Sequence, residues 1–141
     1  MTPDFQRNTV ASWDAVTAYI EQYPDDSNWG AWKKLARKFI REGISLGLNQ
    51  YFRAGQGMHH LLFSTLDHHG LLDEPRVTVV FHPEDELRII YSNTNLHFHT
   101  NELECLLPYA EGFSAFKKNL SQLWTATVSE PLPDELRQLL S

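Results

Sequence analysis

The chain is short of cysteine, of basic charge and of long apolar runs, and each shortage excludes something. Cys105 stands alone, so no internal disulfide can form, which fits a reducing compartment. No apolar run approaches the ~18 residues that a membrane helix needs. The opening MTPDFQRNTV lacks the basic-then-apolar order of a secretory signal. The expectation from these features is a cytoplasmic protein. Twelve Lys and Arg against eighteen Asp and Glu leave a formal charge of −6. That argues against a general nucleic-acid binder, which carries a basic excess, and is compatible with a basic protein partner or merely with solubility.

Motifs that would name a reaction are also missing. The glycine-containing connection at 51–57 has no Lys-Ser or Lys-Thr pair after it, so it is not a phosphate loop. Ser64, Asp67 and the nearby histidines lack the Gly-x-Ser-x-Gly elbow of a nucleophile triad. Cys105 lies among Leu103, Leu106 and Leu107 and reads as a small buried apolar group, not as a nucleophile.

What is present is enough for a real core: 141 residues, 42% hydrophobic and 12% aromatic. This predicts one α+β domain over 1–141, with 1–11 as a loose polar arm. The chain is organised around 76–100, the one stretch rich in β-branched and aromatic residues. Val77, Val79 and Phe81 alternate with Thr78, Val80 and His82, the period of two that sends side chains to opposite faces of a strand. Pro83-Glu84-Asp85 breaks the pattern and Leu87 to Tyr91 resumes it, so 82–86 reads as a hairpin connection. Asn93-Thr94-Asn95 reads as a second turn, and Leu96 to His99 as a third strand. The prediction is a three-stranded antiparallel meander with one apolar face: Val77, Val79, Phe81, Leu87, Ile89, Tyr91, Leu96 and Phe98. Thr78, Val80, His82, Arg88, Ile90, His97 and His99 fall on the other. A sheet of this size needs a covering layer, and about five helices can supply it on one face.

Those helices are expected at 12–23, capped by Ser12, at 29–48, 58–69, 113–126 and 134–140. A short turn led by Asn101 should precede Pro108. The clearest is 29–48, where Trp29, Trp32, Leu35, Ala36, Phe39, Ile40 and Gly43 form one stripe. For 58–69 a strand over 60–65 is the competing reading. Gly43 and Gly47 weaken the last turns of their helix or admit a close neighbour.

Three surfaces invite a functional reading. Lys34, Arg37, Lys38 and Arg41, with Lys33 at the margin, put five of the twelve basic residues on one helix. Such a face could grip phosphates or an acidic partner, or could be an ordinary solvated helix face. Asp73 and Glu74 lie at one end of the first predicted strand and Glu84, Asp85 and Glu86 at the other. An acidic hairpin tip can steer a basic partner; its plain reading is a soluble turn. Third, His97 and His99 would point to one side of a strand, with His82 possible beside them, a spacing that suits zinc or iron. The plain reading there is a solvated sheet face, whose histidines could still titrate near neutral pH.

In size, acidity, scarcity of cysteine and aromatic content the chain resembles the small intracellular bacterial proteins that neutralise toxins, immunity proteins above all. That resemblance is one of composition. It implies a binding protein that needs no chemistry of its own, whose acidic edge and exposed aromatics occlude the cleft of a basic toxin domain. The alternatives are a metal-dependent enzyme built on the sheet histidines and a regulatory module docking on nucleic acid through the basic helix.

Overall fold

In a strand, side chains alternate between faces, so a period of two in hydrophobicity becomes a dry face and a polar face. The computed structural model, which describes residues 3–57, 59–66, 74–92 and 106–141, realises that alternation in β3 (Arg76–His82) and β4 (Glu86–Ser92). The two pair antiparallel along their whole length, from Arg76 opposite Ser92 to His82 opposite Glu86. Val77, Val79, Leu87 and Ile89 are buried on the inner face, with Phe81. The hairpin and both of its faces are therefore as the alternation predicts.

The sheet is larger than the predicted meander. Among the described residues it has five antiparallel strands in the order β1 (Arg53–Gly57), β2 (His60–Ser64), β3, β4, β5 (Leu106–Pro108). The α+β class stands, but the predicted three strands and five helices become, among the described residues, five strands and four α-helices. Residues 51–57, expected as a connection, hold β1, paired with β2 from Arg53 opposite Ser64 to Gly57 opposite His60. Residues 60–64, inside the expected helix 58–69, form β2; the competing strand reading is the right one. Leu106 and Leu107 belong to β5, not to a helical turn. The predicted third strand at 96–99 lies outside the described residues, as do Asp67, Asp73, Asn101 and Cys105.

The helices pack on the inner face. They are α1 (Pro3–Glu21), α2 (Gly30–Leu46), α3 (Tyr109–Thr127) and α4 (Asp134–Leu139), with a 3-10 turn at Leu48–Gln50. Residues 3–11 of the expected loose arm are the first half of α1, so Ser12 sits within that helix and does not cap it. Its hydroxyl donates to the Thr9 carbonyl at 2.6 Å and accepts from the Ala54 amide at 2.9 Å. Phe39 of α2 lies at the centre of the core, with ring centroids 4.7 to 6.1 Å from Phe116, Phe113, Phe81 and Phe63. Each such aromatic pair adds about 0.5–1.5 kcal/mol beyond the area it buries. Trp13 of α1 donates its indole N–H to the Phe52 carbonyl at 2.6 Å, so burying that ring leaves no orphaned donor.

Two glycines make this packing possible. A Cβ on Gly43 would lie 2.6 Å from the Trp13 ring, so α1 and α2 meet here only because the side chain is absent. Gly47 ends α2 in the left-handed region, φ 86°, its amide turned back toward the Gly43 and Ile44 carbonyls, a conformation that costs glycine little.

Candidate functional surfaces

Hairpin connections bring distant residues to common ends of a sheet. The β1–β2 turn, the β3–β4 hairpin and the start of α3 all lie at one end, because Gly57 pairs with His60, His82 with Glu86 and Glu86 with Pro108. At this end His59 adopts φ 70°, which a β-branched or bulky side chain rarely takes and which histidine tolerates somewhat better. Its surroundings hold it there. Trp29 stacks on the imidazole with centroids 3.8 Å apart and planes 7° from parallel. Tyr23 Oη is 2.9 Å from His59 Nε2, and Trp32 donates its indole N–H to the His59 carbonyl at 2.8 Å. Tyr19 extends the chain, its hydroxyl 3.2 Å from that of Tyr23; this hydrogen bond, with burial, raises the Tyr19 pKa. Trp29 remains 44% exposed, one of two large hydrophobic residues so open among those described.

The β3–β4 hairpin at the same end carries the acidic tip. Glu84 and Asp85 are exposed and both adopt left-handed backbone, φ 70° and 59°. For a non-glycine residue this costs about 1–2 kcal/mol each. Glu86 is half-buried. Glu74, at the opposite end of β3, is buried at 6% exposure; Asp73 lies outside the described residues.

The basic face of α2 is largely engaged within the molecule. Arg37 holds the Glu21 carboxylate with both nitrogens, at 2.7 and 2.9 Å. Lys33, buried despite its charge, lies 2.9 Å from Asp25 and 3.7 Å from Glu21. These contacts hold Glu21 and Asp25 below the usual carboxylate range. Lys38 sits 3.9 Å over the Tyr109 ring, and the Tyr109 hydroxyl donates to Glu42 at 2.8 Å. Burial, then that contact, pushes the tyrosine's pKa up. Lys34 and Arg41 are exposed.

Of the three expected metal-site histidines, His82 lies half-buried on the outer sheet face, its Nε2 buried without a hydrogen-bond partner. His97 and His99 lie outside the described residues. Among the described residues no group of three His, Cys, Asp or Glu is placed to hold a metal ion, and no helix is long and apolar enough to cross a membrane.

One arrangement has no counterpart in the sequence reading. The pairing aligns Arg53 with Ser64, places Ser64 beside Arg76 by extending the Phe63–Val77 register, and sets Arg76 opposite Ser92. Residues directly opposite share a face, so the four side chains form one line across the outer face of β1 to β4. All are buried: Arg53 5%, Ser64 0%, Arg76 3% and Ser92 1% exposed. Arg76 Nη1 donates to the Glu74 carbonyl at 3.3 Å and Arg53 Nη1 to the Leu66 carbonyl at 3.5 Å. Only strand register brings Arg53 and Arg76 into one row; at 23 positions apart in the chain they carry no common pattern.

No family model, no curated protein and no solved structure matches the chain.

Proposed function

We propose that this chain is a protein-binding module that makes its contact through the end of the sheet carrying Trp29, His59 and the acidic hairpin, and that its partner is a basic protein domain. In its most specific form the reading is that of an immunity-type inhibitor, seated over the charged cleft of a toxin and needing no chemistry of its own. The observation that carries it is the hairpin tip. Two consecutive acidic residues, both exposed, are held in backbone that glycine would occupy at lower cost. Strain of this kind concentrates where a side chain is needed in one place. The open Trp29, fixed by its stack on His59, supplies the rigid aromatic anchor typical of binding hot spots. The cations of α2 offer less, since Lys33 and Arg37 are already spent on Glu21 and Asp25.

The test is affinity capture at low salt with the native chain, the double substitution Glu84→Asn with Asp85→Asn, and Trp29→Ala. Asparagine tolerates left-handed backbone, so the double variant keeps the turn and loses the charge. Both variants should fold by circular dichroism and release the captured partner, with affinity lower by about tenfold or more. Added salt should weaken the native complex. A partner held equally well by the hairpin variant, or no partner at low salt, overturns the reading.

A further inference from the structure

We propose that the open face of Trp29 is the seat for an arginine side chain of the partner, whose guanidinium stacks on the indole while its N–H edges turn to the acidic groups at the same end of the sheet. The inference rests on the reading of this end as a docking surface for a basic protein, and names the side chain that the surface receives. An indole ring has two faces. The His59 imidazole covers one of them, at 3.8 Å and 7° from parallel. Trp29 nevertheless stays 44% exposed, so the exposure belongs to the other face and the rim. Among the described residues no second ring lies against it. Trp13, Trp32 and Trp124 differ in both respects: they are buried, and they donate their indole N–H groups to the carbonyls of Phe52, His59 and Glu130.

The charges around this ring select a cation. Leu61 pairs with Val79, and the same register sets His59 beside Phe81. Glu84 and Asp85 stand three and four residues further along, so the hairpin overhangs the β1–β2 turn by roughly 10 Å. The turn before α2 adds Asp25 and Asp26. Lys33 occupies Asp25 at 2.9 Å. Asp26, Glu84 and Asp85 are exposed, and among the described residues none of the three is in an ion pair. Ser27 takes the helix-end amides of Trp29 and Gly30, at 3.2 and 3.0 Å, which blunts the positive end of α2. Indole is the aromatic face that attracts cations most strongly. Of the two basic side chains arginine fits a flat platform, because its guanidinium is planar and less strongly hydrated than an ammonium. When stacked it keeps its five N–H groups in its own plane, pointing outward to where carboxylates accept them. A lysine ammonium would have to turn donors into the ring. The stack on His59 holds the platform before any partner arrives, so little side-chain freedom is lost on binding.

The test needs no partner. The full chain, labelled with ¹⁵N, is titrated with a blocked glycine–arginine–glycine peptide at constant ionic strength. Two further peptides carry lysine, or citrulline, whose neutral ureido group has the shape of the guanidinium. The indole N–H resonance of Trp29, assigned by its loss in Trp29→Leu, should move along a saturating curve with the arginine peptide, while those of Trp13 and Trp124 stay in place. The lysine peptide should bind about three- to fivefold more weakly, and the citrulline peptide about tenfold more weakly or worse. The double substitution Glu84→Asn with Asp85→Asn should weaken the arginine peptide about threefold, and added salt should weaken it further. Trp29→Leu, followed through the Gly30 amide, should no longer respond. No saturable shift by about 50 mM peptide overturns the proposal. So does equal binding of the lysine or citrulline peptide, a full response in Trp29→Leu, or a shift shared by the buried indoles. Failure here and failure of the docking reading are separable. A partner that Trp29→Ala releases, from a chain that ignores the arginine peptide, strikes the arginine and keeps the docking surface. A chain that binds the arginine peptide and captures no protein strikes the docking surface and keeps the arginine seat.

Discussion

The two faces of this sheet come from the same residues counted odd and even, yet they hold together by different physics. The inner face is apolar and aromatic, filled by Phe63, Val77, Val79 and Leu87 against Phe39, Phe113 and Phe116. The outer face buries Arg53, Ser64, Thr78, Arg76 and Ser92. Area removed from water stabilises the first by about 25 cal/mol per Å². The second gains only where each polar group finds a partner. Burial alone thus does not rank residues: Phe63 and Ser64 are neighbours in β2, both 0% exposed, and their side chains have opposite prospects.

The sharpest way to break that comparison is to truncate those two neighbours. Phe63→Ala should cost about 3–5 kcal/mol in urea-induced unfolding, from lost transfer energy and the cavity left between Trp13, Phe39 and Phe116. Ser64→Ala, measured in the same way, should lie within about 0.5 kcal/mol of the native chain or above it. Similar losses at both positions would mean that the outer face is packed like the inner one. Next in size is Gly43→Ala, whose added methyl would meet the Trp13 ring; it should lose about 1–3 kcal/mol, although alanine is the better helix former. The hairpin belongs to neither face. Asp85→Gly should raise stability by about 1 kcal/mol by relieving the left-handed backbone, even as it weakens the proposed contact.

The smallest effect concerns pH. Glu21 and Asp25 titrate below their ordinary values of 4.5 and 3.8 because Arg37 and Lys33 donate to them. Their folded values are the depressed ones, so the stability they add is whole above the ordinary values. It is lost as pH falls through the depressed values. Urea midpoints followed into acid should therefore decline over that range, and Arg37→Gln should flatten the decline. Both carboxylates face solvent, so the effect is slight and salt should shrink it.

Legibility in the sequence followed the strength of local periodicity. The strands β3 and β4, their turn, and the bodies of α2, α3 and α4 were readable, because burial on one face writes a period of two or of 3.6 into the residues. The strand β1 was not. Arg53-Ala54-Gly55-Gln56-Gly57 has no apolar alternation, and pairing with β2 and packing under α1 make it a strand. His60-Leu61-Leu62-Phe63-Ser64 fits a short helix as well as a strand buried on both faces, and only its neighbours decide. The first half of α1 is polar and lies against the sheet through few residues, so nothing marks it before Trp13.

The candidate surfaces divide in the same way. The acidic tip and the basic helix are runs visible by eye. That Arg37 and Lys33 turn inward onto Glu21 and Asp25 depends on how α1 lies against α2. The left-handed His59 and the row from Arg53 to Ser92 are products of turns and register, to which no spacing in the chain corresponds.

The hydrogen bond from the Ala54 amide to Ser12 has a consequence for the molecule's behaviour in company. An outermost strand normally displays a ladder of unsatisfied amides that another polypeptide can extend. Here a rung of that ladder is taken by a helix lying alongside, so an incoming strand finds the side rail occupied. Removing that one hydroxyl would leave the amide without its partner, at a cost of about 1–3 kcal/mol, while the helix stays beside the strand.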